Sequence, residues 1–205
     1  MRFRIIILFF YSNFNLSSQD FPSEMWHKGW LVTNNKDTLN GYLKYDFEAQ
    51  LIQIKIDDKI KAYSNRNIYY FEIYDKTIED YRQFYSLMYE VNYNYKIPIL
   101  FEVLIEGELS LLLKEKIVSE TVPRYFPSYY WYGRQSYEYY NKIDYEFFFM
   151  RLDGTIIKFN GKTKDLFNIM YDKIDDIKLY FNDNNLKIKK MSDLVKIVSY
   201  YNSLS

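Results

Sequence analysis

The 205 residues contain no cysteine. This excludes disulfides, thiolate metal sites, thiol nucleophiles and the lipidated cysteine of a bacterial lipoprotein. A single histidine, His27, is present, so any Ser-His-Asp arrangement or imidazole general acid has to use it. It stands a few residues past an expected processing site, where chains are loosely held, so a surface position is expected for it rather than a catalytic one. A zinc centre would have to complete its ligand set with carboxylates. The six glycines are scattered singly, and a Gly-rich phosphate loop cannot be built from them. No cofactor and no metal are expected.

Neither sign of charge is in excess, with 27 basic and 27 acidic residues, which excludes a disordered or nucleic-acid-coating chain. The nearest approach to a basic run, Lys187-Ile188-Lys189-Lys190, reads as a solvated connection between helices, and no nucleic-acid partner is expected. A Pro-, Gly- or Ser-rich linker and a repeat of fixed period are also lacking, so one compact unit is expected. A chain of this length buries enough surface to fold without disulfide staples.

The chain opens on a basic start, Met1-Arg2-Phe3-Arg4, then an apolar stretch over residues 5–11 and the small residues Ser17-Ser18-Gln19. That pattern reads as a signal peptide over residues 1–18. The apolar stretch is shorter than the roughly 20 residues a bilayer span requires, so no transmembrane anchor is expected after cleavage. Export to the periplasm, the outer membrane or the medium follows. The alternative is a buried first strand.

Over residues 24–160 the apolar pattern has the period of a strand, broken by turn chemistry. Gly29-Trp30-Leu31-Val32-Thr33 meets Asn34-Asn35-Lys36-Asp37, and a second strand follows over residues 38–46. Ile52, Ile54 and Ile56 alternate with polar residues, Asp57-Asp58 turns the chain, and Ile60 and Ala62 alternate again, a hairpin expected to have one apolar face. Residues 68–74 and 81–89 are two more strands whose tyrosines blur which face is buried. Phe101, Val103 and Ile105 alternate, and Gly107 permits a turn into residues 109–113. Residues 145–152, Asp153-Gly154 and residues 155–159 form the clearest hairpin, since Asp-Gly accepts positive φ at low cost. About nine strands are expected, in an antiparallel roll, barrel or sandwich.

Over residues 161–205 the period becomes helical. Thr163 is expected to cap a first short helix, Asp172 to begin a second and Ser192 to cap a third. In the third, Leu194, Ile197, Val198 and Tyr201 fall at i, i+3, i+4 and i+7, one apolar stripe expected to dock on the chain's own sheet. The fold class is therefore α+β, a β-rich region followed by three helices.

The pairs Gly29-Trp30-Leu31-Val32-Thr33 with Gly41-Tyr42-Leu43-Lys44-Tyr45-Asp46, and Phe101-Glu102-Val103-Leu104 with Gly107-Glu108-Leu109-Ser110-Leu111, together with Leu194 to Asn202, resemble a group of uncharacterised exported proteins from Bacteroidetes-type bacteria. The resemblance implies a cell-envelope or secreted setting and supplies no catalytic or binding residues.

Glu102 and Glu106 share strand parity, roughly 13 Å apart at about 3.3 Å per residue, wider than glycosidase carboxylate pairs. They read as a solvated face that discourages edge pairing. Asp172, Asp175 and Asp176 lack the spacing of a calcium loop and read as a helix start. Between the strands at 109–113 and 145–152 a long connection, residues 115–144, is expected. It holds the most aromatic stretch of the chain, including Tyr129, Tyr130, Trp131, Tyr132, Arg134 and Tyr137. These rings either cover the sheet or form a ligand or partner contact surface, since tyrosine and tryptophan bind with little loss of side-chain entropy. Arg134 either stacks among them or points to a ligand. The expected function is a noncatalytic exported envelope or secreted protein acting through surface contacts, with a glycan or an envelope protein as partner. A glycan-binding module built on the aromatic loop is the first alternative, and a carboxylate-based glycan hydrolase the second.

N-terminal sequencing of protein from the native host is expected to find a mature start between Ser18 and Asp20. Intact Met1 on folded cytoplasmic protein would overturn export and turn residues 5–10 into a core strand.

Overall fold

The computed structural model describes residues 21–124 and 136–204. The expected signal peptide, and Tyr129, Tyr130, Trp131, Tyr132 and Arg134 of the aromatic stretch, lie outside the described residues. Ten strands form, β1 (His27–Thr33), β2 (Thr38–Asp46), β3 (Leu51–Ile56), β4 (Lys59–Ser64), β5 (Ile68–Asp75), β6 (Asp80–Asn92), β7 (Tyr95–Ile105), β8 (Leu109–Arg124), β9 (Ser136–Arg151) and β10 (Ile156–Lys158). They make one open antiparallel sheet in the order β10-β9-β8-β7-β6-β5-β1-β2-β3-β4. Three helices follow, α1 (Thr163–Ile169), α2 (Ile174–Asp183) and α3 (Met191–Ser203). The α+β class and the order of its parts are as the periodicities predict.

The sheet curls strongly. Five strand spacings of about 4.8 Å separate β2 from β8 in a flat sheet, yet the Tyr45 hydroxyl on β2 lies 3.4 Å from Glu115 Oε2 on β8. The inner face of this roll carries Leu31, Leu43, Ile52, Ile54, Phe71, Ile73, Phe84 and Leu100, with Phe71 and Phe84 stacked at 4.5 Å. Phenylalanines point inward on β5 and β6 while tyrosines point outward, which is why the sequence pattern of these strands looks apolar on both faces.

Asp57 and Asp58 both take positive φ, 46° and 62°, the two-residue turn whose twist suits a hairpin. That turn sets Ile54 opposite Lys61 and Ile52 opposite Tyr63, and leaves Ile60 opposite Lys55. Ile60 is therefore on the outer face and exposed, so the hairpin does not join its isoleucines on one face. A side-chain period of exactly two makes such a swap the result of a single residue of register.

The connection expected as a loop over residues 115–144 is strand over 115–124 and 136–144. β8 and β9 pair continuously from Leu109 opposite Arg151 to Arg124 opposite Ser136. β7 follows β8 only as far as Leu113, so beyond that point β8 and β9 continue as a two-stranded ribbon. Many of its cross-strand pairs join polar side chains, as in Ser119 with Asn141 at 2.7 Å and Lys116 with Asp144 at 3.3 Å, with Ile117 opposite Ile143 between them. With charged and polar residues on both of its faces, the ribbon lacks the hydrophobic alternation that marks a strand.

The helices cover the inner side of the other end of the sheet. Leu194, Ile197, Val198 and Tyr201 of α3 pack with Leu166, Ile177, Leu109, Leu111 and Phe149, so the stripe docks on the chain's own sheet as expected. Thr163 and Ser192 stand inside the first turns of α1 and α3, behind Lys162 and Lys190, and do not cap them. Asp172 lies in the 3-10 turn that precedes α2. Asn202 fixes α3 to the β7–β8 turn by accepting from Leu109 N–H at 2.9 Å and donating to its carbonyl at 3.0 Å. A Cβ at Gly107 would press on the Asn202 side chain and push it away from its two bonds to Leu109.

Ile197→Ala is expected to destabilise the fold by about 2 to 5 kcal/mol, the cost of a cavity in a packed core. Deletion of residues 191–205 is expected to lower the melting temperature further. An unchanged melting curve for either variant would contradict the docking of α3.

Candidate functional site

Two features stand out, one inside the roll and one on its outer face. Inside, Arg82 of β6 points the same way as Phe84 and is 5% exposed. Its guanidinium lies over the rings of Phe84 and Tyr45 at 5.1 and 5.8 Å. All five of its N–H donors are used. Nε donates to Glu102 Oε1 at 2.9 Å and Nη2 to Glu102 Oε2 at 2.6 Å, a bidentate pair. Nη1 donates to Asp75 Oδ2 at 3.0 Å and to the Tyr45 hydroxyl at 2.9 Å, and Nη2 also donates to Glu115. Residues of four other strands, β2, β5, β7 and β8, thus converge on one cation.

Three buried carboxylates around one guanidinium leave an excess of negative charge, and the groups respond differently. Burial pushes the Glu115 carboxyl up, aided by the charge of Glu102 and opposed by Arg82. Asp75 is held below its ordinary range although burial opposes it, because Thr77 donates from both N–H and O–H at 2.9 and 2.7 Å and Arg82 adds a third bond. Burial alone would lower Arg82, but its bonds and charge interaction with Glu102 hold it further in the charged state. Burial raises the Tyr45 phenol, which stays neutral and donates to Glu115.

Glu102, expected on a solvated face, is therefore a buried ligand of Arg82, because both faces of β7 are covered where Leu100 and Phe101 are fully buried. His27 is buried too, at 3% exposure. Its Nε2 lies 2.7 Å from the Pro22 carbonyl and its ring stacks on Tyr45 at 6.2 Å. The expected surface position fails because β1 is a central strand, and its histidine is held by pairing despite being close to the start of the described chain. Glu106 remains exposed. Asp75, Arg82 and Glu115 were not singled out by sequence reasoning. The signal available is parity, since Arg82 shares a face with Phe84 and Glu115 with Leu111 and Leu113.

Beside this network a cleft of about 590 Å³ opens between β2–β3 and the β8–β9 ribbon, lined by Tyr45, Asp46, Gln53, Glu115, Ile117 and Asn141 among others. Glu115 forms part of its wall, but both its oxygens are engaged by Arg82 and Tyr45. A carboxyl so held is a structural brace rather than an acid presented to a substrate.

On the outer face, β1, β5 and β6 carry a field of rings. The Trp30 indole N–H donates to the Tyr70 hydroxyl at 3.2 Å. Tyr70 stacks on Tyr85 at 5.3 Å, Tyr74 meets Tyr81 edge-on at 5.2 Å, and Trp30 lies 6.5 Å from Tyr81. Tyr42 and Tyr81 are more than half exposed, at 53% and 59%. Glu72 sits among them and accepts from the Gln83 amide at 2.8 Å. Of the aromatic stretch singled out in the sequence, Tyr137 falls within the described residues, exposed on the ribbon opposite Pro123. Comparison with protein-family models, curated proteins and solved structures finds no match to this chain.

Arg82→Ala is expected to destabilise the protein by about 3 to 5 kcal/mol, because it strands three buried carboxylates. The pH dependence has a definite sign. Glu115, raised on folding, contributes stability at low pH that is lost as pH rises from its unfolded value through its folded one; Asp75, lowered, contributes stability that is lost as pH falls through its folded value. Glu115→Gln is therefore expected to gain stability relative to the parent as pH rises from about 4, the ordinary glutamate range, upward. A difference that stays constant as pH rises, measured by urea unfolding, would contradict the assignment.

Proposed function

We propose that the protein is a noncatalytic, exported component of the cell envelope or medium that acts through surface contact, with the outer aromatic face as its contact surface. The observation that carries this reading is the display of Trp30, Tyr42, Tyr70, Tyr74, Tyr81 and Tyr85 on the outer side of β1, β2, β5 and β6. These strands lie inside the sheet rather than at its edges, so the rings stand on a backbone paired on both sides. Rigid amphipathic rings on a rigid support bind at low entropic cost. The buried acids and Arg82 hold one another instead of facing a ligand, which supports contact over chemistry. The start of the chain, read as a signal peptide, and the resemblance to exported proteins support the setting.

Retention of the protein on envelope fractions of its native host tests this. A Trp30→Ala and Tyr74→Ala double variant is expected to lose retention by about tenfold or more, as hot-spot aromatics do, while melting within a few degrees of the parent. Equal retention by parent and variant would refute the outer face as the contact surface. Loss confined to a Trp131→Ala and Tyr132→Ala variant would transfer the role to the aromatic stretch and favour the glycan module built there.

A further inference from the structure

We infer that the outer aromatic face is a binding site for an acidic glycan, whose chain runs across the strands along one row of alternating cations and rings. The inference rests on the contact reading above and names the ligand class. The register places Lys55 opposite Tyr42, Tyr42 opposite Lys28, Lys28 opposite Tyr74 and Tyr74 opposite Tyr81. These five residues form one row that follows the curved outer side of β3, β2, β1, β5 and β6. Neighbours in the row are about 4.8 Å apart, so it spans roughly 19 Å. That step is close to the rise of one sugar in an extended polysaccharide. The two lysines are two strands apart, about 10 Å, which matches anionic groups carried on alternate sugars, while the ring between them meets the apolar face of the intervening one.

Availability agrees with this. Lys28, Tyr42 and Tyr81 are exposed, and Lys55 and Tyr74 are partly so. Lys28 has no acidic partner among the described residues, and Lys55 is held only by the exposed Asp58 at 2.9 Å, a weak pair that a ligand anion displaces. The next row, Asn40, Trp30, Glu72 and Gln83, sets an indole between the exposed amides of Asn40 and Gln83, which exchange hydrogen bonds with sugar hydroxyls, while Glu72 is buried beneath them and accepts from Gln83. Glu72 also separates a glycan from a nucleic acid. A polyphosphate laid across this face would lie over the negative charge of the buried Glu72 carboxylate, whereas a glycan presents uncharged hydroxyls there and confines its anions to the lysine row.

The test uses the full-length protein in affinity electrophoresis and calorimetry with polygalacturonate, a neutral galactan, dextran sulfate and a single-stranded oligonucleotide. Binding is expected to an acidic glycan, weakened about tenfold by Lys28→Ala and by Tyr74→Ala, preserved in Lys28→Arg, and reduced by salt. Ring-dependent binding to polygalacturonate assigns the anion to a uronic acid, and ring-dependent binding to dextran sulfate alone assigns it to a sulfate ester. Binding to neither, equal binding to the neutral galactan, tighter binding to the oligonucleotide, or acidic-glycan binding indifferent to Tyr74 would each overturn the inference. If envelope retention still depends on Trp30 and Tyr74 while no acidic glycan binds, the contact reading stands and the glycan assignment alone fails.

Discussion

The fold depends on one buried cation. Arg82 ties β6 to β5, β7, β2 and β8 at once, and the last two belong to parts of the sheet that meet only because the sheet curls. An antiparallel sheet of ten strands has twist enough to curl in many ways. A guanidinium with five committed donors selects one of them, since every partner must reach its own N–H. Buried ion pairs seldom add net stability over apolar packing; their effect here is geometric, fixing the distance between β2 and β8.

From that constraint the two faces acquire different roles. The inner face is filled by phenylalanine, leucine and isoleucine on one part of the sheet and by three helices on another. The outer face of β1, β5 and β6 receives no helix and holds tyrosine and tryptophan instead. Such rings pack against each other through their edges and faces while leaving hydroxyls and one ring side to solvent. A chain without cysteine has no disulfide to stiffen this surface, so its stiffness comes from the strands beneath and from the network that fixes their curvature. The contact function proposed for the outer face and the buried network are linked in this way.

Much of this architecture was legible in the sequence where local chemistry decides it. Asp57-Asp58 and Asp153-Gly154 turn the chain, with positive φ at Asp57, Asp58 and Gly154, and the stripe on α3 docks where a stripe has to. What was not legible depends on partners remote in sequence. Glu102 looks solvated until Arg82, twenty residues earlier, is brought against it. His27 looks exposed until β5 and β2 flank it. The β8–β9 ribbon looks like a loop because polar and charged residues on both faces break its apolar alternation. Ile60 illustrates a subtler failure, in which the strand is right and the face is inverted by the length of the turn. The outer row of lysines and tyrosines belongs to the same class, since it exists only across strands and has no linear motif.

The central claim is that Arg82 sets the curvature of the sheet, and a distance across the curl tests it most directly. Because the chain has no native cysteine, Glu48→Cys and Ser119→Cys supply unique positions for nitroxide labels on the two sides of the cleft, one beyond β2 and one on β8. Pulsed electron spin resonance is expected to give a single narrow distance distribution with Arg82 present, and a broader, longer one in Arg82→Gln under conditions where the protein remains folded. An unchanged narrow distribution in Arg82→Gln would show that the curl is set by the strands and helices alone and would contradict the account.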